Sequence, residues 1–146
     1  MKGRILTVGN HGLSMDIQKF ARPTMQINLW ASLGYGLTLL LIPDIFCEVL
    51  KAEKINTAWL RTIGAALLGT NVLGCWLWLK TPNLDMGRVQ LATAGLEAFA
   101  MALSLMLNEF TAERIWMVQA SVFLAVIVTI GLIPAAQGSY YEKENP

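Results

Sequence analysis

"IWMVQASVFLAVIVTIGLI", residues 115–133, carries no charged side chain. At about 1.5 Å per residue, a helix of this length spans the roughly 30 Å of hydrocarbon in a bilayer. A surface helix of a soluble domain would show a charged or polar face at each turn, and this stretch has none. It reads as a transmembrane helix.

Three similar runs precede it, at 25–42 ("MQINLWASLGYGLTLLLI"), 58–79 ("AWLRTIGAALLGTNVLGCWLWL") and 89–107 ("VQLATAGLEAFAMALSLML"). Only 14% of the 146 residues are charged, against about 25% in soluble domains. The chain is short of the polar surface needed to face water all round. The expected fold is an all-α integral membrane four-helix bundle with antiparallel neighbours, since the connections between runs are short. Residues 1–24 form an N-terminal segment, 25–134 the bundle and 135–146 a tail. No cleaved signal peptide is expected, because charges are scattered through 1–24 and the first run is long enough to span.

Lys and Arg set the sidedness. Lys2, Arg4, Lys19, Arg22, Lys80, Arg88 and Lys143 fall on one side, and Lys51, Lys54, Arg61 and Arg114 on the other. The excess places both termini in the cytoplasm. Trp30, Trp59, Trp76, Trp78 and Trp116 lie near the ends of the runs, where indole rings anchor at the headgroups.

The connections fit this layout. Pro43 ends the first span, and "DIFCEVLKAEK" puts Ile45, Phe46, Val49 and Leu50 opposite Asp44, Glu48 and Lys51. This predicts a short amphipathic surface helix. "SMDIQKFA" can form another, capped by Ser14. Asn56 or Thr57 can cap the second span and Thr111 the fourth. "TPNLDMG" is a turn, with Pro82 and Gly87 as breakers.

Lipid tails are as apolar as the helices, so association rests on small residues that permit close approach. Candidate stripes are Ser32 and Gly36; Thr62, Ala66, Thr70 and Gly74, flanked by Ala65 and Gly69; Ala94, Ala98 and Ala102; and Ser121, Ala125 and Thr129.

Glu97 lies near mid-membrane, where a carboxylic side chain costs about 2.5–3.5 kcal/mol on insertion scales, so it should face inward. Gln90 and Thr93 share its face, and Thr70 and Asn71 on the second span lie at its depth. One reading is a polar contact that fixes helix register. The other is a site handling a proton, cation or ligand headgroup. Arg61 sits a turn inside its span, either snorkelling to the headgroups or contacting an anion or lipid phosphate.

Other chemistry has little to work with. His11 is the only histidine and precedes the spans, so the bundle has no histidine pair for haem or metal. Cys47 and Cys75 lie at opposite ends and cannot bridge. There is no phosphate-binding glycine loop or hydrolase elbow, and no basic patch for nucleic acid. No catalytic residue, metal or cofactor is expected, while a bound lipid is compatible with the layout.

From Pro43 to Asn83 the pattern resembles small four-helix membrane proteins of the DoxX-like type. In these a helix ends at a proline, an amphipathic stretch follows, and the second span opens with an Arg–x–x–Gly step, here Arg61 and Gly64. The resemblance implies a fold more than an activity. The expected function is an accessory or scaffold subunit of a larger membrane complex, partnered by lipids, other membrane subunits or further copies. The alternative is binding, transport or conversion of a small apolar molecule, lipid, quinone or proton around Glu97 and Arg61.

Overall fold

The computed structural model describes residues 19–52, 57–109 and 111–141. The surface helix expected from Ser14 and the Asn56 cap lie outside the described residues. Among these, the chain is all-helical apart from one isolated bridge, Ala52 to Ala112. Helix α1 is Ala21–Leu41, α2 is Pro43–Leu50, α3 is Thr57–Lys80, α4 is Leu84–Met106, and α5 is Ile115–Leu132, continued by a 3₁₀ turn over Ile133–Ala136. A last short helix, α6, covers Gly138–Tyr141. Three helices, α3, α4 and α5 with its 3₁₀ turn, are long and apolar enough to cross a membrane. Helix α1 has 21 residues and meets α2 at a bend of 108°.

The boundaries follow local chemistry. Pro43 stands at the first position of α2, where its missing N–H is no loss. Helix α4 starts at Leu84, several residues before the apolar run, because Asn83 caps it by accepting the Met86 N–H at 2.8 Å. Gly87 is consequently inside the helix and not a breaker. It is buried where the Ala135 carbonyl and Tyr141 hydroxyl press against α4, and a Cβ there would strike both. Helix α5 starts at Ile115 without a side-chain cap, so Thr111 does not fill the expected role.

Helix α1 packs against α3 and α5, and α4 packs against α3 and α5. A close crossing joins α1 to α3 at Gly36 and Gly64: a Cβ on Gly64 would lie 2.7 Å from both the Gly36 carbonyl oxygen and the Leu40 nitrogen. The expected small stripe on α3 is corrected here. Thr62, Ala65, Ala66, Gly69 and Thr70 are exposed, while Leu60, Gly64, Asn71, Gly74, Cys75 and Trp78 point inward. A four-residue repeat drifts about 40° per step on a helix of 3.6 residues per turn, so Thr62 and Gly74 cannot share a face.

The two ends differ. Where α1 begins and α5 finishes (the terminal end), Ala21, Met25, Cys75, Trp78, Ala94, Val128, Leu132 and Ala135 form the larger core. Trp78 is fully buried here and is not an interfacial anchor, whereas Trp30, Trp59, Trp76 and Trp116 are exposed. Its indole N–H donates to Tyr141 Oη at 2.8 Å, and Arg22 caps the end of α3 through the Leu79 carbonyl at 3.1 Å. At the α2 end the core is only Leu39, Cys47 and Leu60, with Phe46 and Leu67 against it. The expected amphipathic helix is present there, but Pro43 and Cys47 are its buried residues and Ile45 and Val49 are exposed.

Candidate functional site

Two features stand out between the helices: a polar network and an apolar groove. The network begins with a π-turn at Leu68–Val72 in α3. Such a turn disturbs the regular backbone bonding of a helix, and the Thr70 carbonyl here accepts the Gln90 Nε2–H at 3.1 Å. Gly74 makes room for that crossing, since a Cβ would strike the Gln90 amide. Gln90 in turn accepts from the Cys75 thiol at 3.1 Å, and Cys75 accepts from Asn28 Nδ2 at 3.3 Å. Ser32 donates to Asn28 Oδ1 at 3.4 Å and accepts from Asn71 Nδ2 at 3.4 Å. The same Asn71 nitrogen donates to Glu97 Oε2 at 2.8 Å.

Thus α1, α3 and α4 are joined by one chain of bonds, and among the described residues no buried side-chain polar atom lacks a partner. A fully satisfied network of this kind rigidifies and fixes register. Glu97, Asn71, Thr70 and Gln90 come together as the sequence suggests. The Thr70 hydroxyl sits 2.8 Å from the Ala66 carbonyl and 2.9 Å from Asn71 Oδ1. Thr93 stays apart, donating to Val89 of its own helix at 2.9 Å. Arg61 is exposed, with no hydrogen bond or ion pair among the described residues.

Sequence reasoning placed Ser32 as a packing residue and Cys75 as a thiol without a partner, and so missed both as network members. The available signal was the four-residue spacing of Asn28 and Ser32 on one helix against Asn71 and Cys75 on another.

The groove lies at the α2 end, with a volume of about 800 Å³. Trp30, Gly34 and Tyr35 of α1 form one wall, and Met117, Val118 and Leu124 of α5 another; Phe46, Trp59, Ile63 and Met101 complete it. Three of its hydroxyls, on Tyr35, Thr38 and Ser121, are already engaged. Thr38 donates to the Gly34 carbonyl at 2.8 Å; Ser121 donates to Met117 at 2.9 Å, so Tyr35 is the donor in its contact with Ser121. Glu97 does not line the groove; Met101, one turn along α4, does. Gly34 is open: a Cβ there would have nothing within 4 Å.

The floor of this end is fixed by short contacts between the α2 and α4–α5 connections. Lys51 and Glu113 form an ion pair at 2.8 Å, and Arg114 reaches the Val49 carbonyl at 3.0 Å. The Lys51 ammonium holds the Glu113 carboxyl below its ordinary range, by hydrogen bond first and charge second. Among the described residues no group of His, Cys, Asp and Glu could hold a metal ion. No protein-family model, curated protein or solved structure matches the chain.

Proposed function

We propose that the chain is an integral membrane protein of four antiparallel spanning helices, with both termini cytoplasmic, that binds one small apolar molecule or lipid chain laterally in the groove at its α2 end. The observation that carries this reading is the groove itself: about 800 Å³, with the Tyr35, Thr38 and Ser121 hydroxyls engaged internally and its lining mostly apolar. Ligand sites commonly have volumes of about 300–1,000 Å³ and this kind of lining. The Glu97 network is then the frame that keeps the helices in register, and not the binding site. Its bonds are satisfied, and Arg61 lies outside it. The DoxX-like resemblance between Pro43 and Asn83 agrees with such a bundle and adds no activity.

A second reading, an accessory or scaffold subunit, is favoured by a different surface. Thr62, Ala65, Ala66 and Gly69 expose a small-residue face on α3, the kind that admits a close helix neighbour in lipid.

Two glycines separate the readings, because a Cβ at Gly34 or Gly69 meets nothing within 4 Å. In nanodiscs, a neutral brominated alkyl alcohol should quench tryptophan fluorescence saturably through Trp30 and Trp59. Gly34→Phe should abolish that component with the fold intact, and Gly69→Phe should leave it. Saturable binding that survives Gly34→Phe would sink the groove reading. A loss of oligomer or co-purifying subunits in Gly69→Phe alone would favour the scaffold reading.

A further inference from the structure

Resting on the groove reading, we infer that the groove selects an amphiphile with a cationic, ammonium-type headgroup, seated at Glu109. Glu109 is the one ionisable side chain among the lining residues other than Tyr35 and Cys47, and it stands at the rim where α4 ends. Its position is built by the backbone. Asn108 takes a left-handed conformation (φ 56°), its N–H bonds the Leu105 carbonyl at 3.2 Å, and the Glu109 N–H reaches back to Ser104 at 3.0 Å. This pair of bonds is a Schellman closure, which fixes the residue after the helix relative to the last turn.

The Glu109 side chain has no hydrogen bond or ion pair among the described residues, so its carboxylate is available to a ligand. The Tyr35, Thr38 and Ser121 hydroxyls give their protons to other protein groups, so along the α1 and α5 walls none of the three offers a donor to an anionic headgroup. An adjoining hollow of about 280 Å³ is lined by Asp44 and Glu48, adding acidic charge beside the rim. Of the cations described at this end, Lys51 is paired with Glu113, Arg114 is turned to a backbone carbonyl and Arg61 is exposed on α3, and none of the three lines the groove. An ammonium headgroup answers this arrangement, with its chain along the apolar wall. An anionic headgroup would be repelled.

The test uses the full chain in uncharged-lipid nanodiscs and two probes with the same brominated alkyl chain, one ending in trimethylammonium and one in carboxylate. Wild-type protein should bind the ammonium probe at least tenfold more tightly. Glu109→Gln should bring the two within about threefold, and Glu109→Lys should reverse the order. Equal affinities in the wild type, or an unchanged preference in Glu109→Gln, would overturn the charge selection while leaving the groove reading standing, provided Gly34→Phe still abolishes binding. Absence of saturable quenching by either probe would overturn both.

Discussion

The terminal end and the α2 end of this molecule solve the same packing problem in opposite ways. At the terminal end, polar atoms from three helices are linked into one satisfied network beside a buried Trp78, and the space between helices is filled. At the α2 end, α1 and α3 meet backbone to backbone at Gly36 and Gly64, yet residues of α1 and α5 line a cavity of about 800 Å³. In lipid, where apolar contact alone does not drive helices together, closure is achieved where hydrogen bonds or glycines bring it about. Room for a ligand is left where, among the described residues, a single hydrogen bond, Tyr35 to Ser121, links α1 to α5. The architecture thus separates a frame from a site.

That contrast can be broken most severely at the glycine crossing. Gly64→Val places a branched side chain against the Gly36 and Leu40 backbones, which cannot give way as a flexible side chain can. The expected result is loss of the folded monomer in size-exclusion chromatography, and Gly64→Ala should already cost about 1–3 kcal/mol. A Gly64→Val protein as stable as the wild type would mean that the helices are not held there.

The next effect is expected in the network. Asn71→Leu strips Glu97 and Ser32 of their shared donor, an unsatisfied-group penalty of about 1–3 kcal/mol, read as a lower midpoint in thermal melts followed by circular dichroism. Glu97→Gln keeps an oxygen for Asn71 and should cost less than half as much, with groove binding unchanged. If Glu97→Gln abolished binding in a folded protein, the separation of frame from site would fail.

The smallest effect belongs to the exposed Lys51–Glu113 pair. Because Lys51 lowers the Glu113 carboxyl, the pair's contribution is present above the ordinary glutamate range and is lost as pH falls through the lowered value. The stability gap between wild type and Glu113→Gln should therefore be small at neutral pH and close on acidification. A gap that widened in acid would show that the pair does not hold the floor of the groove.

Much of the frame was legible in the sequence. Glu97, Asn71 and Thr70 could be placed at one depth because a spanning helix fixes depth by residue count, and Gln90 on the face of Glu97 by its seven-residue spacing. The inward face of α3 was not, since Ala66 and Thr70 look like packing residues until the buried positions show Gly64 and Asn71 facing inward instead. Trp78 was read as an anchor because its neighbour Trp76 is one; two residues along a helix turn by about 200°, so only one can face lipid. The groove left almost no trace. It arises from a gap between helices, and its only sequence marks are the small residues Ala31 and Gly34 on the face of α1 turned away from Gly36.

Whether one molecule is held in the groove is measured directly by native mass spectrometry of the protein released from nanodiscs of mixed membrane lipids. Wild type and Gly69→Phe should each retain one amphiphile per chain, and Gly34→Phe should retain none. Bare wild-type protein, or the same load on Gly34→Phe, would contradict the account.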